Sequence, residues 1–125
     1  MILLDTHALI WFMFDDTQLS DSTLKRIKNE DKVYVSVASL WEIAIKQSLG
    51  KLNISNSITD IADKCNEADI FILPIEAKHM DYIKKLPDIH HDPFDRLIIS
   101  QAVTEGMTLV TKDTIIPKYD VATIW

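Results

Sequence analysis

The sequence predicts an α/β protein of three layers, with helices on both faces of a central, mainly parallel sheet of about five strands. Two observations carry that prediction. Short apolar runs that read as buried strands alternate along the chain with segments of about ten residues at helical period. There are no repeats, low-complexity tracts or composition breaks, and 2 glycines and 4 prolines leave little room for linkers. Such alternation builds parallel sheets covered on both sides. At 125 residues, 47% hydrophobic and 26% charged, the chain is expected to form one domain, residues 1–125, around one core.

The elements follow in order. "MILLD" is a buried strand ending in an acid, and "THALIWFMF" a helix apolar nearly all round. Asp21 to Glu30 is an amphipathic helix and "VYVSV" a second strand. Ser39 to Ser48 reads as a helix stopped near Gly50. Ser57 to Glu67 places Ile58, Ile61, Ala62 and Cys65 on one helix face. "IFIL", closed by Pro74, is a third strand, followed by a helix over Glu76 to Lys85. Phe94 to Glu105 is a helix stopped by Gly106; "TLVT" and "VATI" complete the sheet. Ligands of such sheets sit beyond the carboxyl ends of the strands, where strand order reverses. The residues expected there are Asp5, Thr6, Ser36, Pro74 and Thr111 to Asp113.

Composition excludes some functions. The run "ALIWFMF" is far shorter than the roughly 20 residues of a membrane span and lacks a signal peptide's basic flank and cleavage site. The single cysteine, Cys65, excludes an internal disulfide and fits a reducing compartment, so a cytoplasmic protein is expected. A net charge of −6 and a pI near 5.0 place nucleic acid behind small molecules and proteins as a partner, on composition alone.

Each acid has an ordinary use beside a chemical one. Asp5 opens the first helix as an N-cap. Asp92 reads as the N-cap of the helix it precedes, with Pro93 at the favoured first position. Asp95 lies in line with Ile98, Ile99 and Ala102, so it extends the sheet-facing stripe, whereas Arg96 and Ser100 point elsewhere. Asp113 in "LVTKD" reads as a turn residue. Glu42 sits four residues ahead of Lys46 on the polar side of its helix, the spacing of a solvated ion pair. Convergence changes the weighting. Two like unit charges about 4 Å apart repel by about 4 kcal/mol at an effective dielectric of about 20. Three carboxylates in one crevice therefore require a protonated member or a cation between them. All-oxygen sites suit Mg2+ or Mn2+.

The stretches "ILLDTHALIW", "SLWEIAIKQSLGKL", "HHDPFDRLIISQA" and "GMTLVTKD", in this order and spanning essentially the whole chain, resemble a PIN domain, and more narrowly VapC-type ribonuclease toxins of toxin–antitoxin pairs. The resemblance implies a metal-dependent endoribonuclease whose four acids fall at Asp5, Glu42, Asp95 and Asp113, holding one or two Mg2+ or Mn2+ ions. It keeps Glu42, which periodicity alone discards. It matches the small hydroxyl residues to Thr6 and Thr111, as groups that orient carboxylates or water, and leaves Asp92 between assisting the metal and capping the helix. It also implies an RNA substrate, a cognate antitoxin and a type II toxin–antitoxin role.

Among the remaining residues, Lys46, Arg96 and Lys112 lie next to the site acids and are the cations expected to contact phosphate. His90 and His91 read as loop histidines, because adjacent histidines rarely share one ion, and His7 reads as a core or near-site residue. Trp11, Trp41 and Trp125 read as core or interface residues before base-stacking platforms. The apolar surplus of "ALIWFMF" suits a homodimer interface or an antitoxin-binding groove. Two rivals stand beside the nuclease: a catalytically inactive binding or regulatory module of the same fold, and a phosphatase or phosphotransferase using Asp5 as nucleophile. "DTHAL" lacks the second aspartate that many such phosphatases carry two residues on.

Overall fold

The computed structural model describes all 125 residues. Five strands, β1 (Ile2–Leu4), β2 (Val33–Ser36), β3 (Ile70–Leu73), β4 (Thr108–Val110) and β5 (Thr123–Ile124), form one sheet in the order β3-β2-β1-β4-β5. Every neighbouring pair is parallel, so the sheet is fully rather than mainly parallel. Six helices accompany it: α1 (Thr6–Phe14), α2 (Asp21–Asn29), α3 (Val37–Ser48), α4 (Ile58–Glu67), α5 (Ala77–Ile83) and α6 (Pro93–Glu105). None is long and apolar enough to cross a membrane.

The layers follow from the two-residue period of a strand. Ile2 and Leu4 of β1 join the core that α1, α2, α3 and α4 supply through Leu9, Ile27, Ile43 and Ile61. Leu3 points the other way, into a second core with Ile98, Ile99 and Ala102 of α6. α6 is covered on its outer side as well: Ser100 is fully buried and donates 2.5 Å to the His79 carbonyl of α5. Cys65, free and buried in the first core, has its thiol pushed up to about 11 by burial.

Two strands run into helices without a loop, and this positions the site. β1 ends at Leu4 and Asp5 caps α1, its Oδ1 accepting from the Ala8 amide at 2.8 Å. β2 ends at Ser36, whose hydroxyl accepts from the Ala38 amide, so α3 begins at Val37, two residues before the expected Ser39. α6 begins on Asp92, with Pro93 in its first turn, and stops at Gly106 in the left-handed region at φ 67°, which glycine adopts without steric penalty. The apolar excess of α1 is largely absorbed: Ala8, Leu9 and Ile10 are buried, and Trp11, Phe12 and Met13 pack half-buried on the first core. Phe12 and Met13 also line a shallow groove of about 280 Å3 with Lys64, Glu67 and Ala68.

Candidate active site

The sheet order reverses at β1, from which the chain builds outward through β2 and β3 before returning to β4 on the other side. The carboxyl end of β1 opens into a cleft of about 320 Å3. Asp5 reaches it from the end of β1, Glu42 from α3, Asp92 and Asp95 from the start of α6, and Asp113 from the segment after β4. Thr6, His7, Trp11, Lys46 and Lys112 complete its walls, and one of the ten lining residues is hydrophobic. A lining this polar does not suit an apolar small molecule.

The acids are held in different ways. Asp5 is buried and combines two uses, since it caps α1 while lining the cleft. Burial raises its carboxyl; the Thr111 hydroxyl and the Ala8 amide oppose the rise, and the charge of Asp113 adds to it. Glu42 is 7% exposed. Its Oε1 accepts from the Thr6 hydroxyl at 2.6 Å, and its Oε2 pairs with Lys46 Nζ at 2.8 Å. The Thr6 hydroxyl also lies 2.9 Å from the buried Ser39 hydroxyl, so α1 and α3 meet through this network. The ion pair read from the sequence therefore exists, but it is not a solvated one: the polar side of α3 faces the cleft.

Asp95 is strongly perturbed. Burial, then the charge of Asp92, push its carboxyl up to about 7, while His90 opposes and Glu42 and Asp5 add to the rise. Asp113 is the contrast. Partial burial raises it, but the amides of Ile115 and Ile116 and the His90 ring together hold it below the usual carboxylate range. Asp92 is the cap the sequence predicts, its Oδ1 accepting from the Phe94 and Asp95 amides at 2.8 and 3.1 Å. Thr111 is buried and its hydroxyl accepts from the Asp113 amide at 3.0 Å.

Two placements differ from expectation. Arg96 does not line the cleft. Its guanidinium donates to the carbonyls of Ile83, Pro87 and His90 and to the Tyr119 hydroxyl, so it pins the loop before α6 and is not free for phosphate. His90 is not a free loop histidine: it is buried, with Nε2 3.0 Å from Asp95 Oδ2 and 3.1 Å from Asp113 Oδ2. His91, its neighbour, is exposed as expected. His7 is an exposed rim residue stacked on Trp11 at 5.2 Å, with Lys112 Nζ 5.8 Å from the Trp11 ring on this wall. Trp41, next to Glu42 in the chain, does not line the cleft; it is 60% exposed and meets Phe94 edge-on at 5.1 Å.

The donor set fits a hard divalent cation. Five carboxylates face two ammonium groups in one cleft, and one of those ammonium groups is already paired with Glu42. The upward push on Asp95, from burial first and then from the charge of Asp92, is the response expected of a carboxylate crowded into such a cleft. Oxygen donors of this kind match Mg2+ or Mn2+ rather than zinc.

A parallel α/β sheet with an acidic cleft at its switch point defines the class of protein, and the comparisons narrow it to a family. Residues 2–122 match the PIN domain family model, and the chain belongs to that family. It is similar to Ribonuclease VapC22 of Mycobacterium tuberculosis, 27% identical over 115 residues that span 90% of this chain and 86% of that one. The fold is shared with VapBC2 from Rickettsia felis, solved bound to a DNA fragment from their promoter, at a TM-score of 0.73 and 18% identity, covering 99% and 98% of the two chains. VapBC-1 from nontypeable Haemophilus influenzae gives a TM-score of 0.68 at 19% identity, covering 99% and 97%.

Proposed function

We propose that this chain is a metal-dependent endoribonuclease that hydrolyses RNA phosphodiester bonds, and that it is the toxin of a type II toxin–antitoxin pair in the cytoplasm. The observation that carries the reading is the convergence of Asp5, Glu42, Asp95 and Asp113, from four separate elements, on one polar cleft. Membership of the PIN family and the similarity to a VapC ribonuclease support it. These four acids are the residues to hold one or two Mg2+ or Mn2+ ions. A divalent ion bound there lowers the pKa of an attacking water and neutralises charge developing on the phosphate. Thr6 orients Glu42 by donating to Oε1, and Thr111 fixes the segment that carries Asp113. Asp92 orients Asp95 through the first turn of α6. Lys46 and Lys112 at the rim are the cations for phosphate oxygens.

An antitoxin protein would hold such an activity in check, as the VapBC pairs among the structural neighbours suggest. The groove where Phe12 and Met13 stay half-exposed is the apolar surface we assign to it or to a second copy of the chain. The test is cleavage of a mixed RNA pool by purified, antitoxin-free protein, with Mg2+ or Mn2+ and with chelator, alongside Asp5→Asn. Metal-dependent cleavage lost in the variant is the expected result. No cleavage together with no metal binding by calorimetry would replace the nuclease by a binding module of the same fold.

A further inference from the structure

We infer that His90 is a positioning residue whose ring N–H occupies the one oxygen of Asp113 left free to reach a cation, so that a metal must displace it to bind. The inference deepens the metal-site reading above and rests on it. Three observations carry it.

The first fixes the proton on the ring. The Asp92 amide donates to His90 Nδ1 at 3.2 Å. A nitrogen that accepts carries no proton, so the N–H the ring can offer is on Nε2. A histidine that ligates a metal through one nitrogen normally donates the other to a carbonyl or carboxylate. Here the other nitrogen is an acceptor, an arrangement that suits a donor at Nε2 and not a ligand.

The second shows where that proton goes. His90 Nε2 lies 3.1 Å from Asp113 Oδ2 in hydrogen-bonding geometry, with Asp95 Oδ2 3.0 Å from the same nitrogen. The third closes the alternative. Asp113 Oδ1 already accepts from the Ile115 and Ile116 amides at 2.6 and 3.1 Å. Only Oδ2 of Asp113 is available to a cation, and the His90 N–H is on it. The ring thus fills the gap between Asp95 and Asp113 and spaces two acids that otherwise repel.

The position of the ring is set from outside the cleft. The His90 amide donates to the Tyr119 hydroxyl at 2.6 Å, and that hydroxyl donates to the Pro87 carbonyl at 2.9 Å. Arg96 binds the same carbonyl at 3.0 Å. The loop therefore keeps its backbone anchors when the ring is removed, which makes substitution informative.

The experiment is calorimetric titration of chelator-stripped protein with Mn2+, for the wild type, His90→Ala and His90→Gln. Loss of a competing hydrogen bond to a charged acceptor predicts about tenfold tighter binding by His90→Ala. His90→Gln keeps a side-chain N–H and is expected to return towards the wild-type affinity. His90→Asn, whose shorter amide does not span the gap, replaces alanine if that variant does not fold, with the same expected tightening. Nitrogen-detected NMR of the histidine rings supplies the second readout: a protonated Nε2 in metal-free protein, its resonance shifted when Mg2+ is added. Weaker binding by His90→Ala would make the ring a ligand, unchanged binding would make it packing only, and a protonated Nδ1 would remove the basis of the argument; each overturns this inference and leaves the metal site standing. Absence of Mn2+ binding by the wild type would overturn the metal site itself, and this inference with it.

Discussion

Asp95 concentrates the electrostatics of the cleft in one side chain, and its titration should be visible in the stability of metal-free protein. Its carboxyl moves from an ordinary 3.8 in the unfolded chain to about 7 in the fold, first through burial. Between those values the folded state holds a proton that the unfolded state has released, so the stabilisation is complete below pH about 4 and is lost as pH rises through about 7. In chelator, the melting temperature should fall across that window. Asp95→Asn carries no proton to lose; it should flatten the slope and melt higher at pH 8 by on the order of 5 °C, while abolishing cleavage. Thermal melts at several pH values decide it, and a lower melting temperature for Asp95→Asn would mean that its carboxylate stabilises the fold. Thr6 makes the complementary case. Thr6→Val removes a donor from buried Glu42 and should cost about 1–3 kcal/mol, with Thr6→Ser restoring most of it in urea titrations.

At the level of elements, α6 separates capping from chemistry. Asp92→Ala removes the acceptor for two first-turn amides and should cost about 1 kcal/mol, whereas Asp92→Asn still caps and should cost a few tenths at most. Denaturant titration of both variants is the check; an equal loss in both would make the charge of Asp92, not its hydrogen bonds, the stabilising feature. The cap, the proline after it and the glycine at the end were legible in the sequence because each acts on its own chain neighbours. So were the strands and the helix faces, whose periods report burial directly, and every predicted strand and helix is present to within a few residues. Three side chains were not. Glu42 follows a polar helix face that turns out to look into a cleft, and helical period tells apolar from polar but not cleft from bulk water. His90 meets Asp113 across 23 residues, and Arg96 finds loop carbonyls whose positions no local pattern encodes. The resemblance to a family supplied Glu42; nothing in the sequence supplied His90.

Across the whole molecule, the proposed function poses the problem of how a chain with 19 acidic and 13 basic residues would hold a polyanion. The cleft offers two cations, Lys46 and Lys112; Lys46 is paired with Glu42, and Arg96 is committed elsewhere. Each phosphate contact on a single strand contributes about 0.7 to the slope of log affinity against log salt. Two contacts therefore predict a slope of magnitude below about 2 at constant Mg2+, shallow for an RNA-binding protein. The remaining affinity must come from terms that salt does not screen. Trp11 and His7 line the cleft, and the exposed Trp41 stands next to Glu42 in the chain; stacking of a base on such an aromatic face is worth about 1–3 kcal/mol. Anisotropy titrations of labelled RNA with the cleavage-deficient Asp5→Asn protein measure both terms. Adding Lys112→Ala should flatten the slope by about 0.7, while adding Trp41→Ala should weaken binding at every salt concentration and leave the slope unchanged. A slope steeper than about 4 would show that RNA is gripped by basic surface well outside this cleft.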